Sequence, residues 1–171
     1  PGVALGDRDV LVAVEMSTIC GSDVHTVQGR RSAPAPLVLG HESVGRVIAL
    51  GDDGAEAVDG TPLRIGDRVV WSVTVSCGTC DRCRRGLTQK CRDLGKYGHD
   101  RVGAHGDLTG AFASHVQLRA GTAIARVPEA LPAAVLAPAG CATATAWAAV
   151  ARAARDIDLD GAAVRIHGAG L

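Results

Sequence analysis

At 171 residues, 47% of them hydrophobic, the chain is long enough to bury one domain and the start of another, which excludes a disordered tail. Eighteen Lys plus Arg balance eighteen Asp plus Glu, so no basic stripe or acidic block points to nucleic acid or an anionic membrane, and the expected partner is a small molecule. Aromatic residues make up only 2%, so the core must be built from Val, Leu, Ile and Ala, and platforms for stacking bases are absent.

The elements follow in chain order. Asp9 to Met16 and Ser43 to Leu50 alternate as half-buried strands do. Gly66-Asp67 reads as a tight turn into an apolar strand, Arg68 to Val75, and a second pair of strands is expected at Ala111 to Leu118 and Thr122 to Val127. Short strands with Gly-rich joints suggest a small barrel. From Pro132 the pattern turns helical, most clearly over Ala142 to Arg155. Ala130 to Ala151 carries no charge, but Pro132, Pro138, Gly140 and the Ala-rich composition read as a kinked, buried helical region and not as a membrane span. Gly161 to His167 is expected as a strand running into Gly168-Ala169-Gly170. Neither Pro1 nor Leu171 reads as a natural terminus, so a fragment is expected, with the cytoplasm as its default location.

Cys77, Cys80, Cys83 and Cys91 form a C-x2-C-x2-C-x7-C run. Cysteines three apart on a turning backbone bring thiolates onto one ion, and the fourth closes a tetrahedral shell, so a structural zinc is expected. Arg82, Arg84, Arg85 and Lys90 are expected to offset the charge of the thiolates. Two disulfides or an iron–sulfur cluster are the competing readings. Cys20, Cys141 and His41, which precedes Glu42, mean little singly, but together they can supply two thiolates and an imidazole with an open fourth position.

The string Cys20-Gly-Ser-Asp-Val-His25, then Gly40-His41-Glu42 with Gly45, Gly66-Asp67-Arg68-Val69, the four-cysteine lobe and Cys141-Ala-Thr-Ala-Thr145 resemble zinc-containing medium-chain alcohol dehydrogenases in order and separation. Val69 to Val73, Arg84 to Cys91, Lys96 to His99 and Cys141 to Thr145 are similar to the phosphonate-catabolism-associated branch of that family. The resemblance implies a mainly β, GroES-like catalytic barrel over residues 1–130, including a structural zinc lobe at 77–91. It further implies that 131–171 holds an interdomain helical region and the first strand of a truncated Rossmann α/β domain.

The same resemblance implies two zincs per chain: a catalytic ion on Cys20, His41 and Cys141, with Glu42 beside them, and the structural ion on the cysteine quartet. Asp23 is implied to orient His41, and Ser22 and His25 to relay a proton. Thr145, Gly168 and Gly170 are implied to meet NAD or NADP, while Trp71 and Val73 are implied at the substrate pocket. His99, His105, His115 and His167 match no ligand position and read as surface or loop residues. The implied reaction is hydride transfer between an alcohol, aldehyde or ketone and a nicotinamide, by an enzyme that forms homo-oligomers when full length and whose fragment binds metal without turnover. Threonine- or polyol-type chemistry in the same family, loss of the catalytic metal, and a zinc-stabilised scaffold without chemistry are the alternatives.

Overall fold

The computed structural model describes residues 2–104 and 106–168. Six antiparallel strands curl into half a barrel: β1 (Val10–Thr18), β2 (Glu42–Leu50), β3 (Arg68–Val75), β4 (Gly95–Lys96), β5 (His115–Leu118) and β6 (Thr122–Arg126). Their order is β4-β3-β2-β1-β5, and β6 pairs with β3. Helix α1 (Gly21–Val27) follows β1, α2 (Asp81–Arg84) lies in the cysteine lobe, and α3 (Ala133–Leu136) and α4 (Ala142–Ala153) come last.

Side-chain alternation along β3 explains the two cores. Val69, Trp71 and Val75 face a cluster with Val10, Val12, Val47, Val116, Leu118 and Ile124. Val70 points the other way and, with its partner Val44 on β2, packs on Leu136 and Ala137. The aliphatic core is as the composition requires, but Trp71 and Tyr97 are buried within it, at 3% exposure each. Tyr97 places its hydroxyl 2.7 Å from Thr122 Oγ1 and accepts from the Arg119 amide at 2.8 Å, which ties the cysteine lobe's return to β6.

Three expectations are corrected. The strand expected from Ala111 begins only at His115, because the Ala111 and Phe112 amides donate to Gly40 and Leu39 carbonyls in the loop before β2. Gly161 to His167 forms no strand: residues 161–168 are exposed, and among the described residues nothing offers them a ladder partner. The uncharged stretch is kinked as expected, 61° between Ala133–Gly140 and Ala142–Ala153, but only Leu136 and Ala137 within it are buried. No residue of α4 is buried and Trp147 is 73% exposed. Among the described residues no single helix is long and apolar enough to cross a membrane, although that bent pair passes by length and composition together.

Candidate metal centres and the pocket beside them

The cysteine lobe hangs between β3 and β4. Cys80 caps α2, Cys83 lies within it, and a 3₁₀ turn at Thr88–Lys90 returns the chain to Cys91. The Sγ atoms of Cys80 and Cys83 are 3.5 Å apart, those of Cys77 and Cys91 3.4 Å, and those of Cys80 and Cys91 4.0 Å. Four sulfurs at ~2.3 Å from a tetrahedral zinc sit ~3.8 Å from one another, so the quartet fits that ion. No disulfide joins them. The Cys80 thiol is drawn down to about 6, first by the Arg92 amide and then by that of Cys83. Burial pushes Cys83 up to about 12.

Backbone amides are the largest pulls on Cys80, and the side chains of Arg84, Arg85 and Lys90 stand in solvent around the lobe. Arg82 instead donates to the Lys90 carbonyl at 2.9 Å, and Arg92 pairs with Asp81 at 2.6 Å.

Cys20, His41 and Cys141 come from three separate segments, yet their ligand atoms lie within 4.8 Å of one another. Cys20 precedes α1, His41 precedes β2, and Cys141 precedes α4, so each is placed at the start of an element where the backbone is held on one side only. Asp23 is buried and accepts the Cys20 amide at 2.9 Å through Oδ2, while its Oδ1 lies 3.3 Å from His41 Nδ1. That leaves Nε2 of His41 to face the two cysteines.

Glu42 is 1% exposed; Oε2 accepts from Thr18 at 2.8 Å, and Oε1 has no hydrogen-bond partner among the described residues. A buried carboxylate oxygen left bare beside two thiols and an imidazole fits a cation. Burial first, then Cys20 and Glu42, pushes the Cys141 thiol up to about 12, so a metal binding there displaces its proton.

Ser22 Oγ lies 3.4 Å from His41 Nε2. With Gly21 and His25 it lines a pocket of about 560 Å³. Ser22 and His25 stand three residues apart on α1, hence on one face of it. Of the remaining candidates, Trp71 belongs to the core cluster and is not among the residues that line that pocket. Val73 is half-buried outside both metal groups. Thr145 is exposed on α4 with its amide on the Cys141 carbonyl at 2.9 Å. Gly168 is exposed with φ +89°, and Gly170 and His105 lie outside the described residues.

Sequence reasoning missed His99. It is half-buried, and its ring centroid lies 4.6 Å from that of His41. The chains approach through glycines: a Cβ on Gly98 stands 2.6 Å from the Gly40 carbonyl oxygen, so only glycine lets the residue before His99 rest on the residue before His41. Gly98-His99 beside Gly40-His41 was the available signal, and nothing local shows that these two dipeptides meet.

The alcohol dehydrogenase GroES-like domain matches residues 6–129. L-threonine 3-dehydrogenase of Edwardsiella ictaluri is 35% identical over 99% of the chain and 46% of its own length. The solved alcohol dehydrogenase of Thermotoga maritima is 32% identical with a TM-score of 0.78, over 87% of this chain and 41% of that one. A solved NAD-dependent alcohol dehydrogenase is 30% identical with a TM-score of 0.61, over 78% of this chain and 35% of that one. The chain thus spans under half the length of these relatives. The narrower likeness to the phosphonate-associated branch rests on its sequence strings alone. A half-barrel of this topology, carrying a four-thiolate lobe and a separate Cys–His–Cys cluster and matched over most of its length, places the chain in the zinc-type alcohol dehydrogenase family with a GroES-like domain.

Proposed function

We propose that the chain is the zinc-binding part of a dehydrogenase that moves a hydride between an alcohol and NAD or NADP. The observation that carries this reading is the meeting of Cys20, His41 and Cys141, distant in sequence, beside an orphaned Glu42 oxygen and an open pocket. Cys20, His41 and Cys141 would hold a zinc that would supply Lewis acidity toward an alcohol oxygen, with a nicotinamide as the hydride acceptor. Asp23 fixes the ring of His41 so that Nε2 stays on the ligand side. Ser22 accepts the alcohol proton through its hydroxyl and passes it outward along α1 to His25, which is exposed to solvent. Cys77, Cys80, Cys83 and Cys91 hold the structural zinc and take no part in the chemistry.

Thr145, Gly168 and Gly170 belong on the nicotinamide side. Residues 1–130 form the catalytic unit, and 131–171 open the dinucleotide-binding one. The complete protein is a cytoplasmic homo-oligomer acting on a small alcohol or aldehyde, without nucleic-acid or membrane partners, whereas this chain alone binds metal and shows no nicotinamide-dependent turnover. Elemental analysis of the reduced chain tests the site: two zincs per chain are expected, falling to one in His41→Ala/Cys141→Ser. One zinc that is unaffected by those substitutions rejects the catalytic site.

A further inference from the structure

We infer that the pocket beside Ser22 is an anion-recognition subsite in which Arg30 and Arg31 hold a phosphoryl or carboxylate group carried by the substrate. This rests on the dehydrogenase reading for what occupies the pocket, and on geometry for what the pocket recognises. Its five lining residues are Gly21, Ser22, His25, Arg30 and Arg31. One wall is Ser22, whose hydroxyl lies 3.4 Å from His41 Nε2, so the pocket adjoins the Cys20–His41–Cys141 cluster through that side chain. The other wall is two guanidiniums and an imidazole with no carboxylate among them, in a chain whose net charge is zero. The cationic wall is therefore local and not a by-product of overall basicity.

That wall is built into the backbone. Gly29 turns the chain at φ +70° directly after α1, and the amides of both Arg30 and Arg31 donate to the His25 carbonyl, at 2.9 and 3.1 Å. Both arginines are thereby folded back onto the end of the helix that carries Ser22 and His25. The Arg30 guanidinium donates to the neutral amide oxygen of Gln28. Among the described residues neither guanidinium pairs with a carboxylate, so both charges remain for a ligand. Arg31 also lines the adjoining cavity with Lys96 and His99, where Asp100 is the one acid. A planar fork of donors suits phosphoryl and carboxylate oxygens. The same chemistry is offered by the diphosphate of a nicotinamide dinucleotide. Ser22 in the first wall favours an occupant whose hydroxyl lies a few bonds from its anion, on the side of the metal cluster.

Calorimetric titration of the zinc-loaded chain with glycerol 1-phosphate, glycerol, inorganic phosphate and ADP-ribose tests this, in the native sequence, in Arg30→Gln/Arg31→Gln and in Arg101→Gln, an exposed site outside the pocket. Glycerol 1-phosphate is expected to bind about tenfold or more tighter than glycerol, an advantage lost in the double variant and kept in Arg101→Gln. Equal affinity of native and double-variant chains for glycerol 1-phosphate overturns the inference. Loss confined to ADP-ribose also overturns it, by giving the two arginines to the cofactor. Inorganic phosphate separates this inference from the reading on which it rests. Phosphate binding that needs both arginines but persists in His41→Ala/Cys141→Ser supports the subsite even if the second zinc never loads. Glycerol binding without any preference for its phosphate rejects the subsite and leaves the dehydrogenase reading standing.

Discussion

The imidazole of His99 rests against that of His41, with centroids 4.6 Å apart and planes inclined by 37°. Burial first, then the charges of His41 and Arg31, pulls His99 down to about 4. An unfolded histidine titrates near ~6.5, so between these values the unfolded chain binds the extra proton. Stability is therefore whole above about 6.5 and is lost as the pH falls toward the folded value. His99→Gln is expected to flatten that acid limb, read as urea midpoints across the interval with zinc removed. A variant whose midpoints fall in parallel with the native chain rejects His99 as the group responsible.

Gly98→Ala separates crowding from backbone strain at the same contact. Its Cβ meets the Gly40 carbonyl oxygen at 2.6 Å with φ at +73°, whereas Gly54, at φ +66°, has open space around its Cβ. Gly54→Ala is expected to cost about 1 kcal/mol from φ alone, and Gly98→Ala about 2 kcal/mol or more because the two loops must part. Denaturant midpoints measure both. Equal losses would mean that the Gly40–Gly98 approach yields freely.

Asp23 joins two candidate ligands through one carboxylate, accepting the Cys20 amide and facing His41 Nδ1. Asp23→Asn keeps the shape but removes the charge that fixes the ring. Zinc affinity at the Cys20 cluster is expected to fall about 10- to 100-fold, measured by chelator competition, while the quartet's affinity is unchanged. A uniform fall at both sites would point to a general loosening of the fold.

The strands were legible from period-two burial, as along β1, where Val10 and Val12 are buried and Leu11 and Ala13 only half-buried, and from the apolar run of β3, whose Val69 and Trp71 face one cluster and Val70 the other. The cysteine quartet was legible because its ligands are local. His99 was not, since its meeting with His41 depends on two glycines 58 residues apart by their numbers, 40 and 98. The Gly161–His167 strand failed for the converse reason: the side-chain pattern is present, but a strand is defined by a neighbour that the described residues do not supply. Helix α1 has no signal in the sequence, because its seven residues carry two β-branched valines and no hydrophobic stripe. The Cys20–Asp23 exchange and the Gly29 turn hold it.

Cys83 and Cys91 are the two buried members of the quartet, so Cys83→Ser removes a thiolate that water does not readily replace. Made in the His41→Ala/Cys141→Ser background, where only the quartet can load, the variant is expected to lose its remaining zinc and to become insensitive to added zinc. The background chain without Cys83→Ser should instead gain on the order of 4 kcal/mol at a thousandfold excess of zinc over Kd. Melting with and without a chelator reads the difference. A variant that still gains stability from zinc would move the structural ion off this lobe.

Arg68 fastens β3 to the segment leading into α3. Its guanidinium is 5% exposed and takes both Glu15 oxygens, at 2.8 and 2.7 Å, and the Leu131 carbonyl at 2.7 Å. Arg68→Ala removes a buried guanidinium together with its ion pair and its hydrogen bond to the Leu131 carbonyl, and is expected to cost about 3 kcal/mol. Glu15→Gln keeps the carbonyl contact, and Glu15 is 34% exposed, so its amide can be solvated; about 1 kcal/mol is expected. Urea unfolding of the two variants ranks them. The reverse order would show that the carboxylate, and not the carbonyl of Leu131, is what holds Arg68 in place.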